Sequence, residues 1–72
     1  MIKLASRHIG QILRGTYNGK PRQAKIVNFK ELNGDMLAVC ETGDILPNGK
    51  PEIKSFYLSK VSNLTISPAS VD

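Results

Sequence analysis

The sequence has few of the residues from which active sites and metal sites are built. It contains one cysteine (Cys40), one histidine (His8) and no tryptophan among its 72 residues. A single cysteine excludes an intramolecular disulfide, and one cysteine with one histidine is too few for a structural zinc site. Cys40 lies within the apolar run MLAVC, where a small buried side chain is expected. We therefore predict a non-enzymatic protein without a metal or another cofactor.

The chain also lacks a long apolar run. No stretch approaches the roughly 18 residues that a membrane-spanning helix needs. The first ten residues, MIKLASRHIG, are basic but lack the apolar stretch of a signal peptide. Because disulfides are also absent, we predict a cytoplasmic location.

Acidic residues are missing from the first part of the chain. Residues 1–30 carry seven Lys or Arg and no Asp or Glu, whereas residues 31–72 carry three Lys against six acids. The whole chain has a net charge of +4. Seven cations without a carboxylate among them are typical of a surface that binds phosphate, although a solvated basic surface would also keep a small domain soluble.

The spacing of apolar residues and turn residues predicts strands over most of the chain. Residues 2–9 fit a short helix, and ILRGTY then alternates as a strand does. The dipeptides Asn18-Gly19 and Asn33-Gly34 predict two tight hairpin turns, since both residue types tolerate positive φ. Between them, RQAKIVNFKEL changes its alternation near Ile26-Val27, which predicts a β-bulge.

Three further strands are predicted after the second turn. MLAVCE is apolar on both faces and suits a central strand, and IKSFYLSK and VSNLTIS follow as the last two. The segment TGDILPNGKPE holds two Gly and two Pro, which predicts a long exposed loop. Five bent strands in so short a chain predict a mainly β fold, a five-stranded SH3-like or Sm-like barrel with a possible short N-terminal helix. We assign residues 1–67 to this single domain and residues 68–72 to a flexible tail.

The order of these segments resembles the WYL domain, a small Sm-like barrel of bacterial and phage regulators. The resemblance is carried by ILRGTYNGKPR, GDMLAVCE and KSFYLSKVSNL, and it covers roughly residues 9–66. The tripeptide that names the family, Trp-Tyr-Leu, corresponds here to Asp35-Met36-Leu37, so that only the leucine is kept. In the later Phe-Arg-Leu-Asp-Arg-Ile segment of the family, the first Arg corresponds to Tyr57 and the second to Lys60.

The resemblance implies a role in regulating transcription by binding nucleic acid or a nucleotide-like ligand. Tyr17 and Arg22 match positions of the family pattern, and Lys60 keeps the charge of an Arg without its planar fork. The resemblance therefore makes these three residues candidates for ligand contacts. WYL domains sit beside a winged-helix domain, and we expect this chain to act as a free-standing barrel through its own surface.

The candidate nucleic-acid-binding residues are cations interleaved with tyrosines. Cations neutralise phosphates, and an exposed ring can stack on a base. The alternative for Tyr17 is a place in the core beside Leu13 and Gly15. The predicted site comprises Arg14, Tyr17, Lys20, Arg22, Lys25, Lys54, Tyr57 and Lys60.

A second function class stays open on the sequence alone. Small barrels also act as protein-interaction modules, and phage and other mobile elements encode many such chains. The acidic region 31–52 could dock on a larger protein, and a strand at the sheet edge could pair with a second copy. The predicted partner is therefore nucleic acid first, with a larger protein or a homo-oligomer as the alternative, and no membrane.

Overall fold

The computed structural model describes residues 3–68 of the chain. Five antiparallel strands form one sheet, and two single 3-10 turns accompany them. The strands are β1 (Ile12–Tyr17), β2 (Lys20–Leu32), β3 (Asp35–Ile45), β4 (Pro51–Tyr57) and β5 (Val61–Ser67). The 3-10 turns are Ser6–His8, before β1, and Leu58–Lys60, between β4 and β5.

The strand order across the sheet is β4-β3-β2-β1-β5. The first four strands are joined as consecutive hairpins, and β5 crosses to pair with β1. At both predicted Asn-Gly turns the two residues have positive φ, with values of 52° and 76° at Asn18-Gly19 and 51° and 78° at Asn33-Gly34. These values are those of the two-residue turns whose twist matches that of the flanking strands. The Asn-Gly predictions are therefore confirmed.

One face of the sheet carries the whole core, and we call it the inner face. Its fully buried side chains include Leu13, Ile26 and Cys40, and the opposite face is called the outer face. Paired residues share a face and neighbours alternate, so the register assigns every strand residue to one face or the other. The buried apolar core consists of Leu4, Leu13, Ala24, Ile26, Met36, Ala38, Cys40, Phe56 and Leu58.

Three register shifts interrupt the pairing of the strands. They lie between Arg14 and Thr16 in the β1–β5 pair, between Ile26 and Asn28 in the β2–β3 pair, and between Glu41 and Ile45 in the β3–β4 pair. The second is the bulge predicted near Ile26-Val27. Bulges bend a strand and increase its twist, which allows one sheet to wrap its inner face around a small core.

The structure confirms the prediction of five antiparallel strands but leaves the sheet open. β4 and β5 are its two edges, and among the described residues they do not pair with each other. The helix predicted for residues 2–9 is present only as the turn Ser6–His8, which the Ala5 N–H closes by donating to Nδ1 of the buried His8 at 2.9 Å. Residue 2 lies outside the described residues, as does the predicted tail beyond Pro68.

Strand boundaries in the second half also differ from the prediction. β3 continues to Ile45, because the bulge after Glu41 lets the chain pair again beyond it, and the exposed loop shrinks to residues 46–50. The predicted strand IKSFYLSK ends at Tyr57, where the second 3-10 turn buries Leu58 and redirects the chain into β5.

Cys40 is fully buried on β3, as the sequence predicts, and burial raises the pKa of its thiol from the ordinary value of 9.0 to about 11. The folded chain therefore holds the thiol proton more tightly than the unfolded chain does. This contribution to stability is complete below pH 9, and we expect it to be lost between about pH 9 and 11, by at most about 1.4 kcal/mol per pH unit. Urea unfolding at several pH values, compared with a Cys40→Ala variant, measures it. Equal pH slopes for the two proteins would contradict the assignment.

Candidate nucleic-acid interface

The sheet order collects the strands that carry no carboxylate. β5 has no charged residue, β1 has only Arg14, and the part of β2 from Lys20 to Lys30 has four cations and no acid. These three strands are neighbours in the order β2-β1-β5. The carboxylates of the described residues lie elsewhere, at Glu31, Asp35, Glu41, Asp44 and Glu52. The charge asymmetry of the sequence therefore becomes an asymmetry between the β2-β1-β5 half of the sheet and the half that contains β3 and β4.

The outer face of β2, β1 and β5 carries cations and uncharged hydrogen-bonding groups, with two apolar residues, Ile12 and Pro21, between them. Because Leu13 and Ala24 are paired and buried on the inner face, their neighbours Arg14 and Gln23 are paired on the outer face. The β1–β5 register places Thr65 beside Arg14 and Ser62 beside Thr16. We call this surface the hydroxyl–cation face; it consists of Arg14, Thr16, Gln23, Lys25, Ser62, Thr65 and Ser67.

Gly15, which lies between Leu13 and Tyr17 on the inner face, allows β5 to lie close to β1. A Cβ atom at position 15 would lie 2.3 Å from Cγ1 of Val61 and 2.9 Å from the carbonyl oxygen of Ser62. Both distances are too short for any side chain. The close approach therefore requires glycine, and it holds β5 against β1 where the register pairs Ser62 with Thr16.

The hydroxyl–cation face has no aromatic ring. Tyr17 alternates to the inner face, where its ring packs edge-on against Phe56 with centroids 5.1 Å apart and an interplanar angle of 79°. This contact places Tyr17 against the core, which is the alternative that the sequence left open for it. The face can thus offer cations and hydroxyls to phosphate oxygens, but it has no platform on which a base could stack.

Lys20 and Arg22 lie four and two residues before the buried Ala24, so their side chains are on the inner face, beyond the end of the core. Arg22 is paired with Gly15, and Lys20 with Tyr17. Arg22 lines a concave groove of about 230 Å³ together with Thr42, Asp44, Glu52 and Lys54, above the buried side chains of Ala24 and Phe56. The Thr42 hydroxyl donates to Oε1 of Glu52 at 2.8 Å, which holds one carboxylate of this groove in place.

The groove is mixed in charge, and Arg22 connects it to the basic strands. Arg22 also lines a second, shallower depression together with Arg14, Thr16 and Gln23. Arg14 and Arg22 therefore approach the same surface from the two faces of the β1–β2 hairpin. Lys54 is separated from this hairpin by β3 and lies near Asp44 and Glu52, so its surroundings are not purely basic.

Tyr57, the last residue of β4, and Lys60, in the 3-10 turn that follows, form a separate cluster. The Lys60 Nζ lies 5.9 Å from the centroid of the Tyr57 ring, within the range of a cation–π contact. Both line a cavity of about 360 Å³ with Leu32, Asn33 and Asp35. Hydrogen bonds from the hydroxyl and backbone N–H of Ser59 lower the pKa of Asp35, so the cavity wall carries a carboxylate.

The eight predicted residues thus divide into four locations. Arg14 and Lys25 lie on the outer face, and Tyr17 packs on the core. Lys20, Arg22 and Lys54 lie on the inner face at the open end of the core, and Tyr57 with Lys60 line a separate cavity. Within the described residues the one ion pair joins Lys3 to Glu31 at 3.3 Å, so no predicted cation is engaged in such a pair there. Glu41 lies opposite Lys25 in the register and marks the border of the basic region.

Sequence reasoning missed the hydroxyl groups of β5 and β1. Ser and Thr occur throughout the chain, and nothing in their spacing distinguishes the three on β5 that the register places opposite Ile12, Arg14 and Thr16. Only the crossover that pairs β5 with β1 brings Ser62, Thr65 and Ser67 to this surface.

Further observations limit the chemistry of the described part of the chain. No helix among residues 3–68 is long and apolar enough to cross a membrane. Over the same residues, no group of three or more His, Cys, Asp or Glu side chains is placed to hold a metal ion. No protein-family model, no curated protein and no solved structure matches the chain.

Proposed function

We propose that this protein is a non-enzymatic regulatory module that binds nucleic acid through the hydroxyl–cation face and the end of the β1–β2 hairpin. The observation that carries the proposal is the acid-free block of β5, β1 and the first part of β2. Four cations of this block, Arg14, Lys20, Arg22 and Lys25, can reach a polyanion from the two faces of one hairpin.

Phosphate is the group that this surface suits best. Arg and Lys side chains neutralise phosphates, and Ser, Thr and Gln side chains donate hydrogen bonds to phosphate oxygens. The absence of an aromatic ring from the hydroxyl–cation face removes the interaction that favours single strands. The proposal therefore includes binding with little dependence on base sequence, to duplexes at least as well as to single strands.

The proposed architecture is an open variant of the SH3-like or Sm-like barrel. Its support is the strand order, the crossover of β5 to β1 and the 3-10 turn between β4 and β5, together with three bulges that curl the sheet. The resemblance to the WYL domain is also a proposal. Its candidate ligand residues Tyr17, Arg22 and Lys60 do not line a common groove: Tyr17 packs on Phe56, and the other two line different cavities.

A salt titration of binding tests the proposed function. If about four phosphates are contacted, the logarithm of the association constant should fall with the logarithm of salt concentration with a slope near −4 on duplex DNA. This corresponds to a loss of affinity on the order of 100-fold between about 50 and 200 mM salt. Fluorescence anisotropy with a labelled duplex and a single strand of equal phosphate number gives both slopes. A flat response, or no binding at low salt, would rule out the proposal.

A further inference from the structure

The outward edge of β4 is regular and exposes apolar side chains. Ile53 is 46% exposed, and Ile45, which pairs with Pro51 one strand inward, is 67% exposed. Both isoleucines lie on the outer face. Ile53 pairs with Glu41, the neighbour of the buried Cys40, and it lies two residues from Pro51, so that Pro51 and its partner Ile45 share its face. Exposed apolar residues beside a row of outward-facing backbone groups are the usual features of a strand that adds to another sheet.

The two edges of the sheet are not equivalent. β5 contains Asn63, whose φ of 55° lies at the register shift between β5 and β1, so this edge is interrupted. In the β3–β4 pair the extra residues belong to β3, and β4 itself contains no residue with positive φ. β4 therefore offers the straighter template for pairing.

The charges of β4 are complementary to those of a second, antiparallel copy. Glu52 and Lys54 flank Ile53 directly in the sequence. If two copies of β4 pair with Ile53 opposite Ile53, then Glu52 of each copy lies opposite Lys54 of the other. Opposite charges directly across antiparallel strands are stabilising, and like charges are destabilising. The symmetric register thus forms two favourable pairs and one apolar contact.

One member of each charged pair keeps a free carboxylate oxygen. Glu52 accepts a hydrogen bond from the Thr42 hydroxyl of β3 at 2.8 Å through Oε1, which leaves Oε2 for Lys54 of the second copy. Pro51 lies opposite Ser55 in this register, and its lack of an N–H limits further pairing in that direction. The contact is isologous, so it closes at two copies.

We propose that two copies of this chain associate through an antiparallel β4–β4 pair centred on Ile53. Because paired residues share a face, the outer faces of both copies lie on the same side of the joined sheet. The short pairing segment predicts a weak dimer, with a dissociation constant on the order of 10–100 µM. This proposal concerns β4 alone and stands independently of nucleic-acid binding.

Sedimentation equilibrium of the whole chain, from about 10 µM to about 1 mM, tests the proposal without nucleic acid present. Lys54→Glu should raise the dissociation constant at least about tenfold, because it turns both cross-strand pairs into like-charge pairs. Glu52→Lys should weaken the dimer in the same way. The double variant Glu52→Lys with Lys54→Glu exchanges the charges and should restore association to within a few-fold.

The matched control is Arg7→Glu, an equal change of charge in the exposed 3-10 turn outside the sheet, which should leave association unchanged. Thermal unfolding followed by circular dichroism verifies that every variant is folded, and Ile53→Thr, which keeps a β-branched side chain, serves as a second weakening variant. A monomer at all concentrations would overturn the proposal and leave the β4 edge to a different protein. A dimer that the double variant fails to restore would overturn this register.

Discussion

Replacing Gly15 with alanine is expected to lower the free energy of unfolding by about 2–3 kcal/mol. The added methyl group would meet Cγ1 of Val61 at 2.3 Å and the backbone oxygen of Ser62 at 2.9 Å. The Val61 side chain is β-branched and packs on the core, so it has few alternative rotamers, and the backbone oxygen of Ser62 cannot move aside without shifting β5. Since a chain of this size has a total stability of only about 4–11 kcal/mol, the loss is a large share of it.

Urea unfolding of Gly15→Ala measures this effect, with Thr16→Ala as the neighbouring control on the same strand. Thr16 is half-exposed on the outer face, and its truncation should change stability by less than about 1 kcal/mol. In a double-mutant cycle, Val61→Ala should recover part of the loss in the Gly15→Ala background, because it removes one of the two contacts. A Gly15→Ala protein as stable as the parent would show that β5 does not lie this close to β1.

The double variant Arg14→Glu with Lys25→Glu is expected to weaken nucleic-acid binding at least about 100-fold at low salt. Two phosphate contacts are lost, and two carboxylates are placed on a surface that has none. The neutral version, Arg14→Gln with Lys25→Gln, should reduce the salt slope by about 2, one unit for each contact. Anisotropy titrations against the same duplex give both quantities.

The control for this prediction carries the same change in total charge at different positions. Arg7→Glu with Lys50→Glu alters one Arg and one Lys in exposed turns outside the strands, and should change affinity by no more than a few-fold. An equal loss in both variants would mean that net charge alone, and not the hydroxyl–cation face, governs binding. Because Lys25 lies opposite Glu41, Lys25→Glu creates a like-charge pair, and the neutral variant separates this effect on folding from the effect on binding.

The two predictions concern the same structural arrangement. Gly15 holds β5 against β1, and this contact brings Thr65 beside Arg14 and Ser62 beside Thr16. A folded variant that separates the two strands should therefore lose hydrogen bonds to phosphate while it keeps the cations. Its salt slope would stay near the parental value although its affinity falls, because the slope counts neutralised phosphates and not hydrogen bonds.

The turns and the bulge could be predicted because each depends on a few adjacent residues. Asn-Gly adopts positive φ at both positions with little strain, so the two hairpins follow from local chemistry. The change of alternation near Ile26-Val27 similarly requires an extra residue in the strand. The burial of Cys40 follows from its place in an apolar run flanked by strand-forming residues.

The location of the cations could be predicted only in part. Their concentration before residue 31 is visible in the sequence, and the hairpin keeps Arg14, Arg22 and Lys25 close together. The division between the two faces depends on which residue of each strand meets the core. Leu13 and Ala24 are paired and buried on the inner face. Arg14, next to Leu13, therefore lies on the outer face, whereas Arg22, two residues from Ala24, lies on the inner face.

The sequence by itself determined the five strands, their two tight turns and the segregation of positive charge, because these depend on residues that are neighbours along the chain. The tertiary structure alone decided that β5 joins β1, that β4 is left as an exposed edge and that Tyr17 packs on Phe56. Those features depend on contacts between residues far apart in sequence. Their free energies come from packing one face of a curled sheet, which no local pattern encodes.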